Sequence, residues 1–232
     1  MDWPILAELC GIILGDGSLH RTENRITIVG IVEDKHYFKN HVTPLFKEIF
    51  PEAKIYLRKN NQKQSFTLTL ENKKIFSFFI NDLDMHRGNK SGASVPHFIF
   101  DRPIFVLGFL RGIFDTDGSI KFSKQRSNIN YYPRLQISIR ESHLARAIGV
   151  LLVKLDFPYS QWVEDNSRGY GKNQGQMIYY QISGQENFVR WMNLVKPANF
   201  VHVTKYLLWK RYYFCIPKTT LHERLAALEV LL

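Results

Sequence analysis

Cysteine is nearly absent from this chain: 232 residues contain two, Cys10 and Cys215. Both lie in apolar stretches that read as helical, which predicts buried thiols rather than a disulfide framework, and no zinc-ligand spacing of Cys and His occurs. Apolar runs long enough to span a bilayer are missing too, and the N-terminus has no basic segment leading into a signal-type core. The expectation is a soluble protein, cytoplasmic or organellar, with no membrane partner. Met1 offers no splicing nucleophile and the last residues are Leu231-Leu232 rather than His-Asn, so intein embedding is not expected. Acidic residues are in deficit: 21 Asp and Glu stand against 31 Lys and Arg, giving a net charge of +10 and a pI near 9.6. Such an excess fits a polyanionic partner without distinguishing DNA from RNA. The remaining composition, 45% hydrophobic, can bury the core of one domain or of two small ones.

Two stretches carry the pattern around which the rest is organised. Leu9-Cys10-Gly11-Ile12-Ile13-Leu14-Gly15-Asp16-Gly17-Ser18 is matched by Leu110-Arg111-Gly112-Ile113-Phe114-Asp115-Thr116-Asp117-Gly118-Ser119. Each places a small residue at every fourth position, Ala7, Gly11 and Gly15 in the first and Gly108, Gly112 and Thr116 in the second. On a helix these share one face, so each copy offers nearly bare backbone to a partner helix, and the partner is the other copy. Packed side by side and roughly parallel, the helices bring Asp16 and Asp117 together at their C-terminal ends, where Gly17 and Gly118 let the chain turn away. Two carboxylates beside two partly negative helix ends repel, and stability alone would not choose that arrangement. A hard divalent cation resolves it by taking one or two carboxylates, keeping waters and drawing its other ligands from phosphate. Alternatives are weaker: a calcium loop opening at Asp115 would need Glu at its twelfth position, where this chain has Arg126, and neither copy continues into Gly-Lys-Ser/Thr.

At these residues the chain resembles the LAGLIDADG homing endonucleases in their single-chain, two-motif form, and the resemblance spans nearly the whole length. It implies that Asp16 and Asp117 are the metal ligands, with Gly15 and Thr116 beside them. Leu14 replaces the earlier acid that Asp115 keeps, so Asp115 is expected to be structural or electrostatic. Lys90-Ser91 and Pro96 also match a feature of similar proteins. The family further implies Mg²⁺ as cofactor, with Mn²⁺ or Ca²⁺ able to substitute in binding, an intron-encoded gene, and monomeric action on a long, asymmetric double-stranded DNA target.

Taken in order, Asp2-Trp3-Pro4 reads as a helix start that Asp101-Arg102-Pro103 repeats before the second motif. Arg25–Val29 alternates as a strand, Glu33–Phe50 reads as an amphipathic helix, Arg58–Gln64 as a basic hairpin tip, and Lys74–Leu83 as a helix. The second half repeats this plan: Tyr132–Arg140 is a strand, Glu141–Leu155 a helix, and Tyr159–Ser183 a hairpin. Val203–Phe214 reads as an added helix, and Thr220-Leu221-His222-Glu223 as the capping box of a last one. The fold expected is mixed α/β (α+β), two pseudo-symmetric αββαββα repeats with antiparallel DNA-binding sheets around the central motif helices. The first repeat with its linker is assigned to 1–98 and the second with its C-terminal helices to 99–232.

Each hairpin has one apolar face and one face of residues that bond phosphates and base edges. In the first repeat the expected DNA-binding residues are Arg25, Thr27, Arg58, Lys59, Asn61, Lys63, Gln64, Ser65 and Thr67. In the second they are Lys124, Arg126, Arg134, Gln136, Ser138 and Gln181, with Arg168, Lys172 and Asn173 at the tip. Lys121 and Arg140 are expected as catalytic cations near Asp16 and Asp117. Aligning Glu33 with Glu141 sets Val32 opposite Arg140. The reading is therefore a metal-dependent, site-specific double-strand DNA endonuclease; an RNA maturase or a non-catalytic DNA-binding regulator on the same fold is the alternative.

Overall fold

The computed structural model describes residues 1–165 and 175–229. The first half runs α1 (Trp3–Gly15), β1 (Gly17–Leu19), β2 (Arg25–Ile31), and a helical stretch over 32–49 containing α2 (Lys35–Tyr37) and α3 (Thr43–Ile49). The hairpin β3 (Ile55–Asn60) and β4 (Ser65–Glu71) follows, then a helical stretch over 73–82 that opens with α4 (Lys73–Ser77). A linker with 3-10 turns at Lys90–Gly92 and His97–Phe100 leads to α5 (Pro103–Asp117), β5 (Gly118–Ser123), β6 (Tyr132–Arg140), α6 (His143–Lys154), β7 (Ser160–Asp165), β8 (Gln176–Ser183) and α7 (Gln185–Leu194). Two added helices close the described chain, α8 (Phe200–Tyr212) and α9 (Leu221–Glu229). The expected αββαββα repeat is present twice, with antiparallel sheets ordered β1-β2-β4-β3 and β5-β6-β8-β7.

Small residues decide how α1 and α5 meet. A Cβ on Gly11 would collide with the carbonyl oxygen of Phe109 and sit 3.0 Å from Ile113 N. One on Gly112 would collide with the carbonyl oxygen of Glu8 and sit 2.7 Å from Ile12 N, and one on Gly108 would lie 2.5 Å from Pro4 O. The matched order of these contacts makes the pair parallel, backbone against backbone. Such an approach buries α1 on every side from Leu6 to Gly15, which is why its sequence is apolar around the whole helix rather than along one stripe.

The sheets lay their apolar faces on the helices. Ile26, Ile28, Leu68 and Leu70 are buried in the first sheet, and Leu135, Ile137, Ile178 and Ile182 in the second. Period-two alternation leaves the opposite face of each open. Glu8, only 2% exposed, is held by Arg111 at 2.8 Å and His41 at 2.5 Å, and Arg111 also donates to the Val195 carbonyl at 2.7 Å. One buried carboxylate thus ties both motif helices to both halves.

Several local expectations change. Asp2 caps α1, accepting from Ile5 N at 3.1 Å, but Asp101 does not cap α5. It ends the preceding 3-10 turn with φ −71° and ψ −38°, and the cap position falls to Arg102, which makes no side-chain cap bond; an N-cap needs extended backbone that Asp101 lacks. Neither Gly17 nor Gly118 has positive φ. Glycine is needed there because the chain folds back over its own last turn, where a Cβ on Gly17 would lie 2.5 Å from Ile13 Cα and one on Gly118 would strike Phe114. The helix over 32–49 is broken by a π turn at Phe38–Val42, closed by Thr43 N to Phe38 O. Pro44 follows at once and cannot donate to a carbonyl one turn back, so the extra residue relieves the clash. Arg58 and Lys59 lie in β3, leaving 61–64 as the tip. Cys10 and Cys215 are both buried and free, although Cys215 lies in the loop after α8 rather than in a helix. Thr220 and Glu223 do form the capping box, with Thr220 N donating at 2.7 Å and Glu223 N at 3.2 Å.

Strand pairing also corrects the register between the halves. Gly17 pairs with Ile28, and its counterpart Gly118 pairs with Ile137. Ile31 rather than Val32 is then equivalent to Arg140, a shift of one residue that Ile31 opposite Ser65 and Arg140 opposite Met177 confirm.

Because the helix contact has no room for a methyl group, Gly112→Ala should lose about 3 kcal/mol or more of stability. Chemical denaturation of the variant, compared with an exposed-site control such as Lys210→Ala, measures this.

Candidate functional site

Asp16 and Asp117 occupy equivalent places at the ends of the paired helices, Asp16 as the residue that caps α1 and Asp117 as the last residue of α5. Burial pushes Asp16 up to about 7; Asp117 adds repulsion, Lys90 opposes it, and Asp34 adds a little more. Burial pushes Asp117 up to about 6, again opposed by Lys90. Asp117 thus acts on Asp16 across the helix pair, and Lys90 acts on both.

Lys90 is the residue whose part the sequence did not disclose. It comes from the linker's 3-10 turn, donates to the Gly15 carbonyl, and is held below the usual lysine range by burial, with Asp117 and Asp16 pulling it back up. Lys-Ser was visible as a pattern, but only the folded linker sets that ammonium beside both acids. Gly15 therefore has its carbonyl engaged, and the Thr116 hydroxyl donates back to Gly112 O at 2.9 Å and Ile113 O at 3.0 Å. Among the described residues no three His, Cys, Asp or Glu form a cation cage. Two mutually repelling carboxylates with raised proton affinity suit instead a hard divalent ion that completes its shell with water and phosphate.

Two cavities flank the helix ends and differ in charge. The one beside Asp117, about 350 Å³, is lined by Gly15, Lys90, Ser138 and Arg140. The other, about 430 Å³, joins Asp16 to Val29, Ile31, Asp34, Asp115 and Asn199. Both cations lie on one side and the extra acids on the other. Arg140 thus shares a cavity with Asp117, whereas Lys121 is exposed on β5, donates to Gln136 Oε1, and lines a separate cavity with Lys205 and Lys218.

Asp115 is 3% exposed and turned away from the helix ends. It accepts from Ala198 N at 2.8 Å and Asn199 N at 3.2 Å, and so anchors the start of α8. Burial pushes it up to about 7 despite those two bonds. Asn199 continues the chain of contacts to Asp34 Oδ1 at 2.9 Å.

The open sheet faces hold most of the remaining expected residues. Thr27, Arg58, Ser65 and Thr67 share the outer face of the first sheet, and Arg134, Gln136, Ser138 and Gln181 that of the second. Asn61, Lys63 and Gln64 are at the first tip, while Lys59 faces the other side of β3, next to Phe66. Lys124 and Arg126 are exposed in the turn after β5. Arg25 is tied to Glu23 at 2.7 Å and Glu71 at 3.7 Å, and Gln136, 5% exposed, is covered by Lys121. Arg168, Lys172 and Asn173 lie outside the described residues.

Comparison with known proteins agrees with this architecture. A family model described as a LAGLIDADG-like domain matches residues 105–196. A crystal structure of the homing endonuclease I-DmoI in complex with DNA and Mn aligns over 83% of this chain and 96% of that one, with TM-score 0.57 and 19% identity. The chain has the two-repeat LAGLIDADG fold. The N-terminal LAGLIDADG domain of WhiA aligns as well, over 84% of this chain and 83% of that one, with TM-score 0.55 and 17% identity. Among curated relatives, an uncharacterised protein of Methanocaldococcus jannaschii is 24% identical over 165 residues, 70% of this chain and 59% of that protein. The ATP-dependent DNA helicase Hel308 of Thermococcus kodakarensis is 24% identical over 182 residues, 78% of this chain but 16% of the helicase. The replication factor C small subunit of M. jannaschii is 30% identical over 154 residues, which is 8% of that protein. The chain thus spans less than two thirds of each of these curated relatives. No helix among the described residues is long and apolar enough to cross a membrane.

Asp16 and Asp117 bind protons more tightly folded than unfolded, so their contribution to stability is full below about pH 4 and is lost as the pH rises through about 6 to 7. Without divalent cation, thermal unfolding should occur at lower temperature at neutral pH than at mildly acidic pH, and Asp16→Asn with Asp117→Asn should reduce that dependence, leaving the part that Asp115 contributes. Asp115→Ala removes the acceptor of two amide protons and should cost about 1–3 kcal/mol, read by denaturant titration.

Proposed function

We propose that this protein is a divalent-metal-dependent endonuclease that cuts duplex DNA at a long, asymmetric target, acting as a monomer. The observation that carries the reading is the pairing of Asp16 and Asp117 at the ends of a glycine-packed helix pair, each sharing a cavity with the end of a sheet strand whose outer face is open. Stability does not favour two half-buried, repelling carboxylates there, and a phosphodiester-bound cation does. In this reading Asp16 and Asp117 hold Mg²⁺, for which Mn²⁺ or Ca²⁺ substitutes in binding. A bound divalent ion supplies Lewis acidity and a water of lowered pKa. Lys90 offsets the charge of both acids, and its ammonium is placed to shift from the Gly15 carbonyl toward a phosphate oxygen. Arg140 adds positive charge at the Asp117 side, where negative charge would build on phosphorus oxygens. Repeats divided at 98/99 would each serve one half of the target, and the outer faces of the two sheets would lie in the major groove.

Duplex binding should weaken steeply with salt as phosphate contacts release counterions; a fluorescence titration at several salt concentrations measures the slope. Asp16→Asn or Asp117→Asn should lower cleavage about a hundredfold or more while leaving duplex affinity within a few-fold. Cleavage at full rate by either variant would remove the proposed chemistry, and sequence-specific binding with no cleavage in any divalent ion would favour the regulator reading. Because Ile31 stands where the other half has Arg140, the strands should be cut at unequal rates. Nicked duplex should accumulate first, and Arg140→Ala should slow one strand more than the other in a time course on end-labelled DNA.

A further inference from the structure

The two sheets are equivalent in backbone and unlike in chemistry. The register pairs Thr27 with Gln136, Val29 with Ser138 and Ile31 with Arg140, and on the neighbouring strand Thr67 with Tyr179 and Thr69 with Gln181. Across the first sheet, one outer row reads Val29, Thr67, Arg58 and the next reads Thr27, Thr69, Tyr56. Four of those six side chains end in β-branched methyl groups. Val29 is 46% and Ile31 55% exposed, although the strand needs neither for its own packing. In the second sheet the corresponding rows are Ser138, Tyr179, Trp162 and Gln136, Gln181, Ser160. There the large apolar side chains lie on each other: Trp162 and Tyr179 stack at 5.2 Å between centroids and 7° between planes. Two carboxamides stand side by side where the first sheet has two threonines.

In the major groove thymine alone among the four bases presents a methyl group, which packs against Thr, Ala or larger apolar side chains, while carboxamides pair with adenine N6 and N7. We propose that the first sheet selects its half of the target through thymine 5-methyl groups packed on Val29, Thr67 and Thr69, whereas the second selects its half by hydrogen bonds from the half-buried Gln181, its neighbour Gln136 being covered by Lys121. The proposal rests on the duplex-binding reading above and adds which chemistry specifies each half. It also gives Val29 and Ile31 a reason to be exposed.

The test begins with selection of bound duplexes from a randomised DNA library without added Mg²⁺, followed by resynthesis of the selected site with deoxyuridine for thymidine in one half at a time. This change removes the methyl group and keeps every hydrogen-bonding atom. Affinity should fall about fourfold per contacted methyl in one half and less than twofold in the other. Thr67→Ser and Thr69→Ser keep the hydroxyl, disturb only a surface position, and should each abolish the deoxyuridine penalty at one position, a coupling read by a double-mutant cycle. Replacing adenine by 7-deazaadenine, which lacks the N7 acceptor, should instead weaken binding in the other half, and Gln181→Ala should remove that sensitivity. A defined selected site with no deoxyuridine penalty, or with one that persists in Val29→Ala, Thr67→Ser and Thr69→Ser, would overturn the methyl readout and leave duplex binding standing. Failure of the unaltered protein to enrich any sequence would overturn the duplex-binding reading and this proposal with it.

Discussion

The contact between the carbonyl of Glu8 and the bare Cα of Gly112, repeated between Phe109 and Gly11, is the constraint on which the rest of the molecule depends. Helices packed through ordinary side chains sit about 8–10 Å apart; these two have no side chain between them at the crossing. Their C-terminal ends are consequently close enough for Asp117 to raise the proton affinity of Asp16 and for one lysine, Lys90, to act on both. The same closeness sets the separation of β1 and β5, which leave the helix ends through Gly17 and Gly118, and hence the placing of the two outer faces.

An interface of backbone on backbone buries little apolar side chain, and other contacts hold the halves together. Glu8 bridges Arg111 of the partner helix and His41 behind the first sheet. Asp115 fastens the start of α8, and Asn199 passes that link to Asp34 in the first half. Buried carboxylates of this kind are stabilising only when every oxygen has a donor, and here each oxygen of Glu8 and Asp115 has one. Asp115 and Asp117 are two residues apart and do different work: one points into the protein toward amide protons, the other toward an open cavity.

Duplication followed by divergence has left a symmetric frame with asymmetric contents. Lys90 and Arg140 both fall on the Asp117 side, and Asp34 and Asp115 on the Asp16 side. The extension formed by α8 and α9 has no counterpart in the first half, and it is what brings Asn199 to the Asp16 cavity. A single chain can hold such differences; two identical subunits could not.

The sequence by itself determined the repeat, the helix pairing and the identity of the two terminal acids, because periodicity of small residues and alternation of polar and apolar ones are local properties that survive without coordinates. Glycine at every fourth position has few uses other than close packing, and acids that end both copies have to meet once the copies pack. Tertiary structure decided what depends on residues distant in the chain. Lys90 reaches the acids through the path of the linker, and Asp115 acquires its partners 83 and 84 residues further on. The register between halves needed strand pairing, since matching Glu33 to Glu141 is one residue out of step with the paired strands, and in a strand one residue exchanges the two faces. Which cations share a cavity with which acid is likewise set by how the linker and the second sheet fold over the helix ends, a three-dimensional fact with no signature in spacing.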